Sequence, residues 1–194
     1  MSLAVGMTGQ VTEYLYSGRT REAATLASEH LELLDSIGDA TLTVGLSFPA
    51  FVTWFSQVEI DQTSRWSQRV IELAGDDPGM GAGFGLGSPL AAALAFRGIS
   101  RWWMGGAHLA RRLPRRIAMG GQQVDPVTLG FVLAWTYGAA IVYGGVVRSD
   151  DTVVEVSQAA VDAAERLGND NGELVLGVSL SYRATTPTAN VGWS

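Results

Sequence analysis

Residues 17–37, SGRTREAATLASEHLELLDSI, limit what this chain can become more than any other stretch. The apolar positions Ala23, Leu26, Ala27, His30, Leu31, Leu34 and Ile37 recur at helical spacing and form one stripe. Arg21, Glu22, Thr25, Glu29, Glu32, Asp35 and Ser36 fill the other side. Thr20 stands where a hydroxyl can cap the free amides of a first turn. Gly38 follows where a left-handed residue ends a helix. A single helix of this length is marginal in water, because its stability comes from packing rather than from propensity. The stretch therefore demands neighbours, and the rest of the chain should supply them.

Its pattern recurs in weaker form. Residues 3–16 predict a modest first helix with Leu3, Val5, Met7, Val11, Tyr14 and Leu15 as apolar positions, weakened by Gly6 and Gly9. Residues 40–58 carry no charge until their end, and Pro49 should kink or divide them. A second charged helix follows, capped by Asp61 or Thr63, with Trp66, Val70, Leu73 and Ala74 as its stripe. Ser88-Pro89 opens a third apolar helix, with Pro89 at the favoured first position. Residues 108–119, interrupted by Pro114, should partner it. Asp125-Pro126 opens another apolar element. Ser149-Asp150 caps a helix whose stripe is Val153, Val156, Ala160, Ala163, Ala164 and Leu167. Residues 182–194 have no period and are expected to be disordered.

The charged helices begin near residues 20, 61, 107 and 150, a spacing of about 41–46 residues. They end in similar turns, SIGD, LAGDD and RLGND. Each unit is an apolar helix followed by an amphipathic one. Such a unit cannot bury its own face and stacks on the next. The expected fold is all-α: a TPR-like α-solenoid of about four antiparallel helix pairs in a curved right-handed array. It spans residues 1–181 as a single helical-repeat domain. The terminal hairpins lack polar outer faces, which predicts self-association into a homo-oligomer.

Composition removes several kinds of chemistry. Cysteine is absent, so there is no thiolate nucleophile and no sulfur metal ligand. All 13 basic residues are arginine, which excludes a Walker lysine or a Schiff base. A net charge of −6 argues against general nucleic-acid binding. The first ten residues, MSLAVGMTGQ, lack a basic region and a long apolar core, so a cytoplasmic location is expected.

Two segments carry a family resemblance: YLYSGRTREAATLASEHLELLDSIGDATLTVGLSF at 14–48 and GSPLAAALAFRGISRWWMG at 87–105. They resemble the C-terminal helical-repeat region of bacterial signalling proteins that join a class III adenylate/guanylate cyclase domain to an AAA-type ATPase. The resemblance extends over about residues 10–180. It implies a TPR-like fold and a regulatory role toward a cyclase or ATPase domain partner. It implies no catalytic residue, because the family's catalytic groups lie in domains outside this region. The pattern breaks at residues 105–123 and again after Tyr182, as it would in a truncated or altered relative.

Candidate chemistry is sparse. The run GMGAGFGLG at 79–87 has glycine amides before a helix but no P-loop lysine and no G-x-G-x-x-G, so it reads as a flexible loop between hairpins. His30 and His108 have no second ligand at metal spacing on their own helices. Asp39, Asp76-Asp77 and Asp150-Asp151 fall at helix ends and read as caps. Arg111, Arg112, Arg115 and Arg116 form a basic cluster that reads as a solvated face. No catalytic, cofactor or metal site is expected, and the chain reads as a non-enzyme.

The informative groups pair arginine with tryptophan: Arg65-Trp66, and Arg97 with Arg101-Trp102-Trp103. Both residue types concentrate at binding hot spots. In TPR-like stacks the first helix of each pair lines the groove. These six residues are the expected groove for a protein or peptide ligand, with one of Trp102 and Trp103 turned into the core. Residues 40–58 and 126–147 are also long enough to span a membrane. The charged helices between them favour a stacked array over a small helical membrane protein.

Overall fold

The charged and uncharged stretches both become helix, and what separates them is a recurring turn. A computed structural model describes residues 2–85, 87–105 and 162. The chain divides into two compact units, Met1–Thr128 and Leu129–Ser194. The helices named below all belong to the first. Among the described residues there are six helices and no strand: α1 (Ser2–Tyr16), α2 (Thr20–Ile37), α3 (Ala40–Leu46), α4 (Phe48–Ser56), α5 (Ile60–Ala74) and α6 (Pro89–Trp103). The all-α expectation therefore holds there. The helices predicted beyond residue 105, and the irregular tail at 182–194, lie outside the described residues.

Helix α1 packs along α2 across a turn of only three residues, so the two run antiparallel. The turn is closed by its own backbone. The Gly18 amide donates to Leu15 O at 3.3 Å and the Arg19 amide to Tyr14 O at 2.9 Å, with Gly18 at φ 79°. That pair of bonds is a Schellman closure and satisfies carbonyls orphaned at the helix end. The same closure ends α4: the Val58 amide donates to Phe55 O at 3.0 Å and the Glu59 amide to Trp54 O at 2.8 Å. It begins again after α6, where Gly105 at φ 99° donates to Trp102 O at 3.0 Å. Residues 18, 58 and 105 thus hold like positions at the ends of three helices.

Val58 is the misfit of the three. It adopts φ 62°, the one non-glycine residue at positive φ among the described residues. A β-branched side chain is strained in that region, and this one is 62% exposed, so it repays little through packing. Val58→Gly should therefore stabilise the fold by about 1 kcal/mol. Urea denaturation should show a higher midpoint, and a lower one would mean that the valine side chain contributes more than its backbone costs.

Capping follows the sequence in part. Asp39 caps α3, its Oδ1 accepting from the Leu42 amide at 3.1 Å. Ser88 caps α6, accepting from the Ala91 amide at 3.3 Å, with Pro89 at the start of the helix. Gly38 ends α2 at φ 71°, its amide bonded to Leu34 O at 3.2 Å. Thr20, however, is not a cap. Arg19 holds the N-cap position and makes no side-chain cap bond, because the tight Schellman turn delivers the chain into α2 one residue early. Neither Asp61 nor Thr63 caps α5, which begins at Ile60. Asp61 lies in the first turn and Thr63 is buried, its hydroxyl donating to Glu59 O at 3.1 Å. Asp77 holds a turn instead of a helix end, its Oδ1 accepting from the Gly79 amide at 2.9 Å. Asp150-Asp151 lie outside the described residues.

The uncharged stretch 40–58 divides, as Pro49 requires. Proline has no amide to continue the helix and its ring crowds the carbonyl four residues back. The break falls at Ser47, whose hydroxyl donates to Thr43 O. Six consecutive residues of α4, Ala50 to Phe55, are buried. Helix α4 packs against α1, α2, α5 and α6, and a helix buried on all sides has no need of a polar face. No helix among the described residues is long and apolar enough to cross a membrane. The other apolar stretch, 126–147, lies outside them.

Two predicted stripes are corrected. On α1, Leu3 and Val5 are exposed while Ala4 and Val11 are buried. On α5 the buried face is Thr63, Ser64, Ser67, Val70 and Ala74, while Trp66 and Leu73 stay only half-buried. Helix α5 packs on α3, α4 and α6, and small residues hold most of its buried face. Their hydroxyls cost little when turned back onto the helix, as Ser67 does to Ser64 O at 3.1 Å. Ile37, at the end of the α2 stripe, is exposed as well.

Candidate functional site

The six residues expected to form a groove come from α5 and α6, which pack against each other. The register is fixed at Arg97, whose Nη1 donates to Ser64 O at 3.2 Å and also to Ser64 Oγ. Arg97 is half-buried, and its Nε is buried with no hydrogen-bond partner among the described residues. Burial holds its pKa below the ordinary arginine value, and Arg101 one turn away acts in the same direction. Glu72 offsets part of this. An arginine stays charged regardless, so the site holds a fixed cation.

Arg101 is exposed on the last turn of α6, and Arg65 is exposed on α5 with its Nη2 donating to Gln62 Oε1 at 2.7 Å. Trp102 and Trp103 meet edge to face with centroids 6.1 Å apart. Trp103 also meets Phe55 of α4 edge-on at 6.4 Å. Trp102 is half-buried and Trp103 is 36% exposed, so each is partly covered and neither is fully in the core. That corrects the expectation of one core tryptophan: both sit on the last turn of α6, where neither ring is enclosed. Trp66 is half-buried, and no ring contact, hydrogen bond or ion pair joins it to α6 among the described residues. The structure therefore gathers Arg97, Arg101, Trp102 and Trp103 on one helix and leaves Arg65 and Trp66 on its neighbour. Sequence reasoning missed Ser64, which holds Arg97. A serine one residue before the Arg65-Trp66 pair gave no signal of that role.

The other candidates resolve structurally. The glycine run is not a flexible loop, because a 3-10 turn at Ala82–Phe84 seats it on α3. Gly81 is buried at φ 75°, and a β-carbon there would lie 2.5 Å from Gly45 N. No group of three His, Asp or Glu suited to a metal occurs among the described residues. His108 and the arginines at 111, 112, 115 and 116 lie outside them.

His30 is 1% exposed between α2 and α1. Its Nε2 lies 3.1 Å from Thr8 Oγ1, whose own hydrogen goes to Ala4 O at 3.0 Å. The imidazole is therefore the donor in that bond, which assigns its proton to Nε2. Burial lowers its pKa from 6.5, and the nearby Ala4 carbonyl offsets part of the shift. The ionisable residues of α1 are Glu13, Tyr14 and Tyr16, and α4 has none, so no ion pair compensates a charged ring among the described residues. As pH falls through 6.5 the unfolded chain takes up a proton that the folded chain refuses. The contribution is complete above that value and is lost as pH falls toward and through the lowered folded pKa. Urea midpoints measured between about pH 5.5 and 7.5 should fall on acidification. The fall should be smaller in His30→Leu, and equal falls would assign the effect to other groups.

No family model, curated protein or solved structure matches this chain.

Proposed function

We propose that this chain is a non-catalytic protein-interaction module, a TPR-like array of helical hairpins that takes a protein or peptide ligand on the surface of Arg65, Trp66, Arg97, Arg101, Trp102 and Trp103. The observation that supports the reading is the helix-ending turn shared by Gly18 and Val58, whose first bond recurs at Gly105. A repeated unit of two helices, each closed in the same way, is how stacked helical arrays are built. Such arrays work by presenting a surface. The last turn of α6 carries exposed Arg101 and a partly exposed Trp103, residue types that dominate binding energy. In this reading the chain works in the cytoplasm as a regulatory piece related to cyclase/ATPase signalling proteins, and it carries no turnover of its own.

The test is affinity capture from lysate of the native host with the wild-type chain and with a Trp102→Ala/Trp103→Ala double variant. A stoichiometric partner retained by the first and lost from the second is the expected result. Partners indifferent to the double substitution, or hydrolysis or cyclisation of ATP or GTP by the purified chain, would overturn the reading.

A further inference from the structure

The described arginines differ in how they are neutralised. Arg19 pairs with Glu22 at 3.0 Å and Arg69 with Asp35 at 3.3 Å. Arg21, Arg65, Arg97 and Arg101 form no ion pair among the described residues, and the last three lie on the packed pair α5 and α6. Glu72 acts on Arg97 through space but forms no ion pair with it, its Oε1 accepting from Gln68 Nε2 at 2.9 Å. An acidic chain thus keeps a local cationic surface where α5 meets α6.

We propose that this surface docks an acidic peptide segment of a partner protein, with Arg97 as its fixed anchor. The proposal rests on the interaction-module reading and names the chemistry of the ligand. Arg97 is preset: Ser64 holds its Nη1 and the helix pair covers its stem, so binding need not order that side chain. Its Nη2 makes no hydrogen bond among the described residues and remains to receive a carboxylate. Arg101 follows four residues later on the same face, about 6 Å along the helix. Like charges so spaced destabilise a helix, and an anionic ligand reverses the sign of that interaction.

The spacing also selects the ligand. Alternate residues of an extended chain are about 6.6 Å apart on one face, so carboxylates at positions i and i+2 match the two guanidiniums. Arginine suits this task because its planar fork binds carboxylates with directed hydrogen bonds. Trp102 and Trp103 follow on the same last turn of α6, where their rings meet edge to face and offer apolar surface to the ligand's aliphatic parts. A nucleic acid fits less well, because the cationic surface is about one helical turn long and the whole chain carries −6.

The experiment is fluorescence anisotropy with the full chain and labelled peptides of about twelve residues, a length that spans roughly 40 Å when extended. One peptide carries glutamate at alternate positions and the other carries lysine there. A labelled single-stranded oligonucleotide is the third probe. Saturable binding of the glutamate peptide is expected, weakened at least tenfold by Arg101→Glu and clearly by neutral Arg101→Gln. Affinity should fall as salt rises from roughly 50 to 300 mM, where screening shortens to a few ångströms. Arg101 is exposed, so unchanged circular dichroism checks that the variants fold. Equal binding of the lysine peptide, no binding of either peptide, tighter binding of the oligonucleotide, or indifference to both Arg101 variants would each overturn the proposal. So would sedimentation showing that the surface is filled by a second copy of the chain. A captured protein that needs Trp102 and Trp103 but survives Arg101→Glu would overturn the acidic ligand and leave the interaction module standing.

Discussion

Replacing Phe96 by alanine should cost about 3–5 kcal/mol, the range for a fully buried phenylalanine. Phe96 is 1% exposed and is the hub through which α6 meets α4. Its ring lies 6.1 Å from Phe48 edge-on, 5.8 Å from Phe51 and 6.0 Å from Phe55 edge-on. These three face one side of α4, so the loss is not confined to one contact. Removing the ring leaves a void that rigid neighbours fill only in part, and their dispersion contacts go with it. Domains of this size are stable by about 5–15 kcal/mol, so the variant should be close to unfolding at room temperature. Phe96→Leu provides the graded measurement, with an expected loss of about 1–2 kcal/mol. Leu94→Ala, at a position exposed on the same helix, should change stability by less than about 0.5 kcal/mol. Urea midpoints decide the matter. A Phe96→Ala loss no larger than that of Leu94→Ala would mean that α6 does not dock on α4 through this ring.

The second large effect is expected at Gly81→Ala, with a loss of about 2–4 kcal/mol from two sources. The residue sits at φ 75°, where an L side chain is strained. A β-carbon there would also meet backbone, at 2.5 Å from Gly45 N, 2.6 Å from Gly45 Cα and 3.1 Å from Thr41 O. None of these atoms can swing aside as a flexible side chain would. The loop must lift from α3 or the helix must shift. Gly83→Ala is the contrast, two residues along the same run. A β-carbon at Gly83 has nothing within 4 Å and its φ is not positive, so its replacement should be neutral within about 0.5 kcal/mol or slightly stabilising. If Gly81→Ala proves as mild as Gly83→Ala, the run does not pack on α3.

Both predictions lie where sequence patterning stopped. Phe96 stood in an apolar helix and was visible as core, but nothing in its spacing named Phe48, Phe51 and Phe55 as its neighbours. Those contacts span more than forty positions, and pairing at that distance is set by how helices dock. The glycine run is the sharper case. Glycine-rich composition ordinarily marks a turn or a linker, because glycine pays the largest entropy cost on ordering. Here glycine is used for the opposite purpose, at Gly45 and Gly81, where two backbones come closer than any side chain would allow. Sequence alone shows the residue type in both uses and cannot tell them apart.

The candidate surface was legible to a similar depth. Arginine beside tryptophan pointed to Arg65, Trp66, Arg97, Arg101, Trp102 and Trp103. Periodicity put Arg97 and Arg101 on one face of a helix, because residues four apart always share a face. What it could not supply was Ser64, which reaches Arg97 from another helix, or the half-covered state of both terminal tryptophans. Nor could it supply the buried face of α5. Hydrophobicity nominated Trp66 and Leu73 there, whereas the packed helix buries Thr63, Ser64 and Ser67.

The sequence by itself determined the local order of the described region. The 3.6-residue stripes made the helices, Gly38 ended α2 and Asp39 started α3, Ser88-Pro89 opened α6, and Pro49 broke the apolar stretch. Those outcomes depend on neighbours within about one or two turns, whose geometry the backbone dictates. Only the tertiary structure decided which small residues became interfaces, which glycines carry close contacts and which arginines stand unpaired. Each of those depends on the distance between helices, and that distance follows from side chains far apart in the chain settling their packing together.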